Sequence, residues 1–330
     1  MKRKLLLALL CLFLLPSGCV KSELGADGGE DRLIVVGFSQ VGAESEWRVA
    51  NTESVKAAFS EENGYALIYS DARQKQENQI RAIRTFIQQN VDYIVLAPIT
   101  ETGWNSILQE AKDANIPVIL VDRKIEVDDE SLYTAYIGSD FVKEGENAVH
   151  WLSDTLSKQG RKEKTIRIVH IQGTLGSSAQ VGRSVPLEKA ARARANWEIV
   201  AQECGEFTRA KAYEVMTGIL KRTKDIDVVY CENDGEALGA IDALEEAGIK
   251  CGLKDGVIVI AFDATNLGLS YCLDGKISLN VECNPLQGPY AEEIIQKLER
   301  GEKIEKVQYI EETLFDCHDI TQNIIDQRVY

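Results

Sequence analysis

From Leu33 to Cys283, short branched or aromatic runs alternate with helix-period patterns, and the alternation runs through twice. Leu33–Val36, Ala66–Tyr69, Tyr93–Leu96, Val118–Val121 and Tyr136–Ile137 read as strands. Between them Val55, Ala58 and Phe59 share a helix face, as do Ile80, Ile83 and Ile87, and Trp104, Ile107, Leu108 and Ala111 fall at i, i+3, i+4, i+7. The pattern restarts with strands at Ile166–Ile171, Trp197–Ala201, Val228–Cys231 and Val257–Phe262. Helix faces at Ala212, Val215, Met216, Ile219 and at Ala237, Ile241, Leu244 separate them. Such βαβ repetition predicts an α/β protein with two similar lobes, each a parallel sheet covered by helices on both faces. A strand at Ser278–Cys283, a helix stripe on Ala291, Ile294, Ile295 and Leu298, and a short strand at Lys306–Ile310 remain. They are too few for a third domain, so the chain is expected to pass back between the lobes, with Ser139-Asp140 as its first crossing.

In an open α/β sheet the carboxyl ends of the strands share one rim, and ligands bind there. The polar clusters of this chain fall on those ends. The first strand runs into Ser39, Gln40, Glu44, Trp47 and Arg48. Carboxylate, amide and guanidinium groups pair with sugar hydroxyls, and an indole face covers the C–H side of a ring. Later strands end in Asp122-Arg123, in Gln172-Gly173-Thr174 with Arg183 beyond, in Glu232-Asn233-Asp234, in Asp263 and in Glu282-Cys283-Asn284. Helix N-capping competes as an explanation and accounts for Asp234 and Thr265. It does not account for Arg123 and Arg183, because a cation near a helix N-terminus is unfavourable. Gly173-Thr174-Leu175-Gly176 lacks the Gly-Lys-Ser/Thr of a phosphate loop. His150, His170 and His318 have no metal-ligand spacing, and there is no G-x-S-x-G elbow. Asp122 and Asp263 could form a hydrolytic pair, but their arginine and asparagine neighbours suit binding better, so no catalytic activity, cofactor or metal is expected.

The net charge of −15 repels phosphate backbones and argues against nucleic acid as a partner. Lys2, Arg3 and Lys4 precede an apolar run from Leu5 to Leu15, too short to span a bilayer and suited to a signal peptide. Leu15-Pro16-Ser17-Gly18-Cys19 follows. It resembles the lipobox of bacterial lipoproteins, with Pro16 where that group has an aliphatic residue. The resemblance implies removal of residues 1–19 up to an acylated Cys19, which becomes the membrane anchor. Residues 20–32 are rich in glycine and acid and read as a tether with a reach of roughly 20 Å. Of the remaining cysteines, Cys204, Cys231, Cys251, Cys272, Cys283 and Cys317, no pair has C-x-x-C spacing. Three disulfides are open to them, but free buried thiols are the expectation.

Several stretches are similar to one family. They are Val36-Gly37-Phe38-Ser39-Gln40-Val41-Gly42 with Trp47-Arg48, Gln74-Lys75-Gln76-Glu77-Asn78-Gln79-Ile80, and Ala97-Pro98 with Thr102-Gly103-Trp104. Ile116-Pro117-Val118 with Asp122-Arg123, and Gly205-Glu206-Phe207-Thr208-Arg209, complete the set. In these the chain resembles the type I solute-binding proteins of sugar ABC importers, the ribose/galactose-binding group, from about Leu33 to about Phe315. The resemblance implies two Rossmann-like lobes of periplasmic-binding-protein type I, joined by three crossings and closing on a monosaccharide such as galactofuranose or a related pentose or hexose. Boundaries follow at 33–138 with 284–311 for the N-terminal lobe and 139–283 with 312–330 for the C-terminal lobe. The implied ligand residues are Ser39, Gln40, Glu44, Trp47, Arg48, Asp122 and Arg123 from the first lobe, Arg183, Phe207, Asn233 and Asp263 from the second, and Glu282 at a crossing. One departure is Pro186-Leu187, where the family has a Gly-Phe pair after the binding arginine. The implied product is a monomeric, lipid-anchored, extracytoplasmic binder that hands sugar to ABC permease subunits. The alternative is a binder that reports to a membrane sensor kinase. Lac-repressor-type transcription factors share the fold but carry a DNA-binding headpiece where this chain has a leader and tether.

Overall fold

The computed structural model describes residues 32–330. The leader over 1–19, acylation at Cys19 and the tether up to residue 31 lie outside the described residues. The first half runs β1 (Ile34–Gln40), α1 (Glu46–Ala58), β2 (Tyr65–Asp71), α2 (Gln76–Gln88), β3 (Tyr93–Leu96), α3 (Asn105–Asp113), β4 (Val118–Val121), β5 (Ala135–Gly138). The second half runs α4 (Phe141–Lys158), β6 (Ile166–Gln172), α5 (Ser178–Ala193), β7 (Trp197–Cys204), α6 (Arg209–Leu220), β8 (Val228–Cys231), α7 (Asp234–Glu246), β9 (Ile258–Asp263), α8 (Asn266–Leu273), β10 (Leu279–Glu282). Then come α9 (Gly288–Glu299), β11 (Val307–Tyr309), β12 (Leu314–Asp316) and α10 (Gln322–Asp326).

Two six-stranded sheets result, in the orders β11-β5-β4-β3-β1-β2 and β12-β10-β9-β8-β6-β7. All pairs are parallel except β10–β12. The chain passes from the first sheet to the second between β5 and α4, returns between β10 and α9, and passes over again between β11 and β12. β12 and α10, at the end of the chain, carry no period long enough to be read in advance.

Each sheet is buried on both faces. Val36, Phe38, Val95 and Val121 pack with Val55 of α1 and Ile294 and Ile295 of α9, while Ile94, Leu96 and Leu120 face Ile83 and Phe86 of α2 and Leu108 of α3. The second sheet repeats this with Ile171, Val229 and Val259 against Met216 and Ile241, and Ile168, Tyr230 and Ile260 against Leu152 and Leu187. Full burial of each such side chain contributes about 1.5–3 kcal/mol, so each lobe has a core of its own. In each sheet the strand order reverses beside the first strand of its half: β3-β1-β2 in one, β8-β6-β7 in the other. Those reversals open the crevices at the carboxyl ends.

α4 and α5 pack unusually close. A Cβ on Gly182 would lie 2.5 Å from the Phe141 Cβ, and one on Gly145 would lie 2.8 Å from the Gly182 carbonyl oxygen. Pro186 stands inside α5, not in a loop, and is buried near Gly145. Lacking an N–H, it leaves the Gly182 carbonyl without its helical donor, so that carbonyl is free to face Gly145. This contact places Glu144 of α4 against Arg183 of α5.

Candidate functional site

Trp47, Phe141, Ala179, Phe207 and Cys283 form a small apolar cluster drawn from both halves of the chain. Around it lies a cavity with about 290 Å³ free of protein atoms, lined also by Glu44, Ser45, Arg48, Asp122, Arg123, Arg183, Asn233 and Asp263. Nine of the twelve predicted residues therefore meet here: Glu44, Trp47, Arg48, Asp122, Arg123, Arg183, Phe207, Asn233 and Asp263.

The first lobe contributes a chain of alternating charge. Ser45 caps α1, its Oγ accepting from the Arg48 N–H at 3.1 Å. The cap fixes Arg48 in the first turn, where its guanidinium meets Glu44 at 2.9 Å and Asp122 at 2.7 Å. Arg123 sits 3.6 Å from Asp122 and 3.9 Å from Glu44, and donates to the Ile99 carbonyl at 3.1 Å. Burial opposes ionisation of Glu44, but Arg48 and Arg123 outweigh it and hold the carboxyl below its ordinary value. Arg48 is likewise raised against its burial, by Asp122 and Glu44. Arg123 fares worse: burial and the nearby Arg48 push it down to about 10.

In the second lobe Arg183 donates to Glu144 at 2.7 Å and to the Glu232 carbonyl at 2.5 Å, and lies 3.9 Å from Asp263. Burial lowers its proton affinity, yet Glu144, Cys283 and Asp263 together raise it. Asp263 is pushed well up by burial, which the Arg183 cation only partly offsets. Asn233 caps α7 through its Oδ1 and donates from Nδ2 to the Phe207 carbonyl. Across the lobes the Arg123 guanidinium stacks over the Phe207 ring at 5.2 Å, and the Trp47 indole N–H donates to the Cys283 carbonyl at 2.6 Å. The lobes also touch where the Glu101 N–H donates to the Gly176 carbonyl and the Lys124 N–H to the Ser178 hydroxyl.

Three cavity residues hold left-handed backbone: Asp122 at φ 66°, Phe207 at 60° and Asp263 at 108°. Such conformations cost on the order of 1–3 kcal/mol each outside glycine and persist where the surroundings over-determine them. Besides Asp122 Oδ2, which lies 2.7 Å from the Arg48 guanidinium, three buried polar atoms of the lining residues have no hydrogen-bond partner among the described residues: Glu44 Oε2, Arg123 Nε and Arg183 Nη2. Buried polar groups are normally paired, so these atoms suit a small polyhydroxylated molecule.

Ser39, Gln40 and Glu282 do not line the cavity. Ser39 is buried within β1. Gln40 stands behind Arg48, accepting from its Nη1 at 3.2 Å and donating to Asn51 and Thr52. Glu282 accepts from the Thr313 N–H at 2.9 Å, from Arg328 and from the Tyr330 hydroxyl at 3.0 Å, so it holds the C-terminal tail. Asp234 is not the α7 cap; it accepts from Thr265 and Asn280, while Thr265 does cap α8. His170 is a buried partner of Glu232 at 2.9 Å. The six cysteines from Cys204 to Cys317 are free. Sequence reasoning missed Ser45, Phe141, Ala179 and Cys283. The Ser45 cap followed by the Arg48 turn is a local signal that could have been read; Ala179 and Cys283 reach the cavity only through the packing of the lobes.

A periodic pattern of this kind has relatives. Residues 36–303 match the periplasmic binding protein domain family. The chain is 38% identical over 286 residues to the galactofuranose-binding protein YtfQ of Escherichia coli (strain K12), covering 86% of this chain and 87% of that protein. A solved Mycobacterium smegmatis structure in complex with β-D-fucofuranose superposes with a TM-score of 0.83 at 41% identity, over 89% of this chain and 94% of that one. The periplasmic binding component of the arabinose ABC transporter from Shewanella sp. ANA-3, bound to α- and β-L-arabinofuranose, gives a TM-score of 0.82 at 40% identity, over 89% and 95%. These matches carry the same two-lobe α/β architecture, and they belong to binding and import proteins rather than to enzymes.

Proposed function

The chain belongs to the periplasmic binding protein domain family, and on that premise we propose that it captures a furanose monosaccharide between its lobes outside the cytoplasm and delivers it to an ABC importer. The observation that carries this reading is the cavity. It is small, its Trp47, Phe141 and Phe207 rings offer flat apolar faces, and its charged rim keeps Glu44 Oε2, Arg123 Nε and Arg183 Nη2 unpaired. A ring sugar presents both an apolar C–H face and hydroxyls that each need a partner on leaving water. The furanose ring form is supported by the sugars bound in the two solved relatives and by the name of the Escherichia coli one. Ligand groups on both lobes make the closed form the better binder, so the lobes close on the sugar. Cys19 anchors the mature protein to the membrane surface, with residues 20–32 as its tether.

A thermal-shift panel of pentoses, hexoses and furanosides tests the binding. A specific sugar stabilises the folded state by about 4 kcal/mol at a thousandfold excess over Kd. The expected hits are monosaccharides with an accessible furanose form, such as arabinose, galactose and fucose. A panel in which no sugar shifts the melt rejects the reading.

A further inference from the structure

The geometry points to a proton shared by Glu312 and Glu144 that ties the third crossing to the Arg183 side of the cavity, so that closure on ligand takes up a proton. This rests on the lobe closure proposed above.

Glu312 lies between β11 and β12, on the third crossing. Its Oε1 accepts from the Ser139 hydroxyl at 2.5 Å, on the first crossing, and from the Asn284 N–H at 2.7 Å, on the second. The Cys283 sulfur stands 3.2 Å from that same Ser139 hydroxyl. One carboxyl group thus touches all three strands of the hinge. Glu144 meets it from α4: oxygens of the two carboxyls and the Cys283 sulfur all lie within 4.8 Å of one another. Glu144 Oε2 accepts from Arg183, while its Oε1 is buried without a hydrogen-bond donor among the described residues.

Two buried carboxylates at such range do not both ionise unless cations match them. The cation here is already divided. Arg183 serves Glu144, the Glu232 carbonyl and, at 3.9 Å, Asp263. Asp122 adds negative charge from the cavity side, Asp263 stands beyond Arg183 with its carboxyl pushed up by burial, and burial likewise pushes up Tyr136 and Cys283 beside the pair. Lys143, Asp140 and Glu311 border the outer depression that Glu312 also lines. A proton on Glu312 solves the problem, because it supplies the donor that Glu144 Oε1 lacks. Burial, and after it the Glu144 carboxylate, push Glu312 up to about 9; Glu144 is raised too, by burial against the pull of Arg183. Glu312 is therefore a positioning residue: its proton holds Glu144, which holds Arg183.

Opening moves the three crossings relative to one another. It separates Glu312 from its partners and admits water, which returns the carboxyl toward its ordinary range and releases the proton. Between that range and pH 9, closure takes up to about one proton per ligand, so affinity falls by up to about tenfold per pH unit across that window and levels off at its alkaline end.

Titration calorimetry tests this, using the sugar that gives the largest thermal shift, at pH 7.5 in buffers of different ionisation enthalpy. The wild type should show buffer-dependent heats reporting proton uptake. Glu312→Gln, which keeps a neutral donor, should lose the dependence, and Glu311→Gln, at the exposed neighbour, should keep it. Glu312→Ala, with no donor, should bind more weakly than Glu312→Gln. A melting arm reads the same coupling: with saturating sugar the wild-type melting temperature should fall more between pH 6 and pH 9 than that of Glu312→Gln, and without sugar, where the lobes open, the two should fall in parallel. Buffer-independent heats in a wild type that binds sugar, or uptake that survives in Glu312→Gln, overturn the inference and leave the sugar reading intact. If no sugar binds, the earlier reading fails, and a steeper sugar-free alkaline fall in the wild type than in Glu312→Gln overturns this one.

Discussion

Arg123→Ala separates ligand pairing from folding more cleanly than any other change in the cavity. Arg48 and Arg183 each hold a carboxylate at 2.7 Å. Among the described residues Arg123 has only the Ile99 carbonyl at hydrogen-bonding distance, with carboxylates at 3.6 and 3.9 Å and an Nε that lacks a hydrogen-bond partner. At neutral pH it is a cation that burial and Arg48 disfavour. Removing it costs the fold one hydrogen bond, the stacking on Phe207 and the attraction to Asp122 and Glu44, but relieves its own burial and the repulsion with Arg48, so the net change in stability should be no more than about 1.5 kcal/mol. Ligand binding should suffer more. A hydrogen bond from a charged donor contributes about 1.5–3 kcal/mol, or about 10- to 100-fold in Kd. Calorimetry gives the affinity and urea unfolding the stability. Affinity within twofold of wild type would refute the reasoning, and so would a stability loss as large as the binding loss. Arg183→Ala should behave in the opposite way, because it strands the buried Glu144 carboxylate; a loss of about 3–5 kcal/mol in stability is expected there.

Glu282→Ala should destabilise the protein by about 1–3 kcal/mol while leaving sugar affinity within about threefold, since the carboxylate holds Thr313, Arg328 and Tyr330 instead of the cavity. Urea unfolding and calorimetry read the two quantities, and a selective loss of affinity would return Glu282 to the site. Glu44, held below its ordinary pKa by arginines that outweigh its burial, contributes stability that is present above the ordinary carboxylate range and lost as pH falls through its folded value. The acid side of the wild-type stability curve should therefore be steeper than that of Glu44→Gln; parallel curves contradict this. Small-angle scattering should show a smaller radius of gyration with saturating sugar, as the Glu101–Gly176 and Lys124–Ser178 contacts form. Labelling with a palmitate analogue should tag the wild type in cells and spare Cys19→Ala, and equal labelling of both would remove the anchor.

The central strands of both sheets were legible because each is a short run of branched residues buried on two faces, as in Val118–Val121 and Val228–Cys231. The helices showed through one-sided stripes such as Ile80, Ile83 and Ile87 in α2. Asp122, Arg123, Asn233 and Asp263 were legible because they end strands that share a rim, and Glu44, Trp47 and Arg48 because they follow one; Arg183 lies further on, in α5, and Phe207 rested on the resemblance alone. Glu282 ends a strand too, yet the antiparallel pairing of β10 with β12 puts it beside Thr313 and the tail. Strand-end position states which rim a residue reaches and not which neighbour it meets. Phe141 and Glu144 were missed because their place depends on the close crossing of α4 and α5 at Gly145 and Gly182, a tertiary contact with no local period. The left-handed backbone of Phe207 is also invisible in sequence, because no residue preference announces an aromatic there.

The central claim is a furanose held in the closed cavity, and the ring form of the bound sugar tests it most directly. Carbon-13 spectra of labelled arabinose or galactose, recorded with a slight excess of protein, should show bound anomeric signals of the furanose, enriched far above its share in free solution. Those signals should weaken in Arg123→Ala at the same concentrations. Bound signals of the pyranose, or a spectrum unchanged by the protein, would contradict the account.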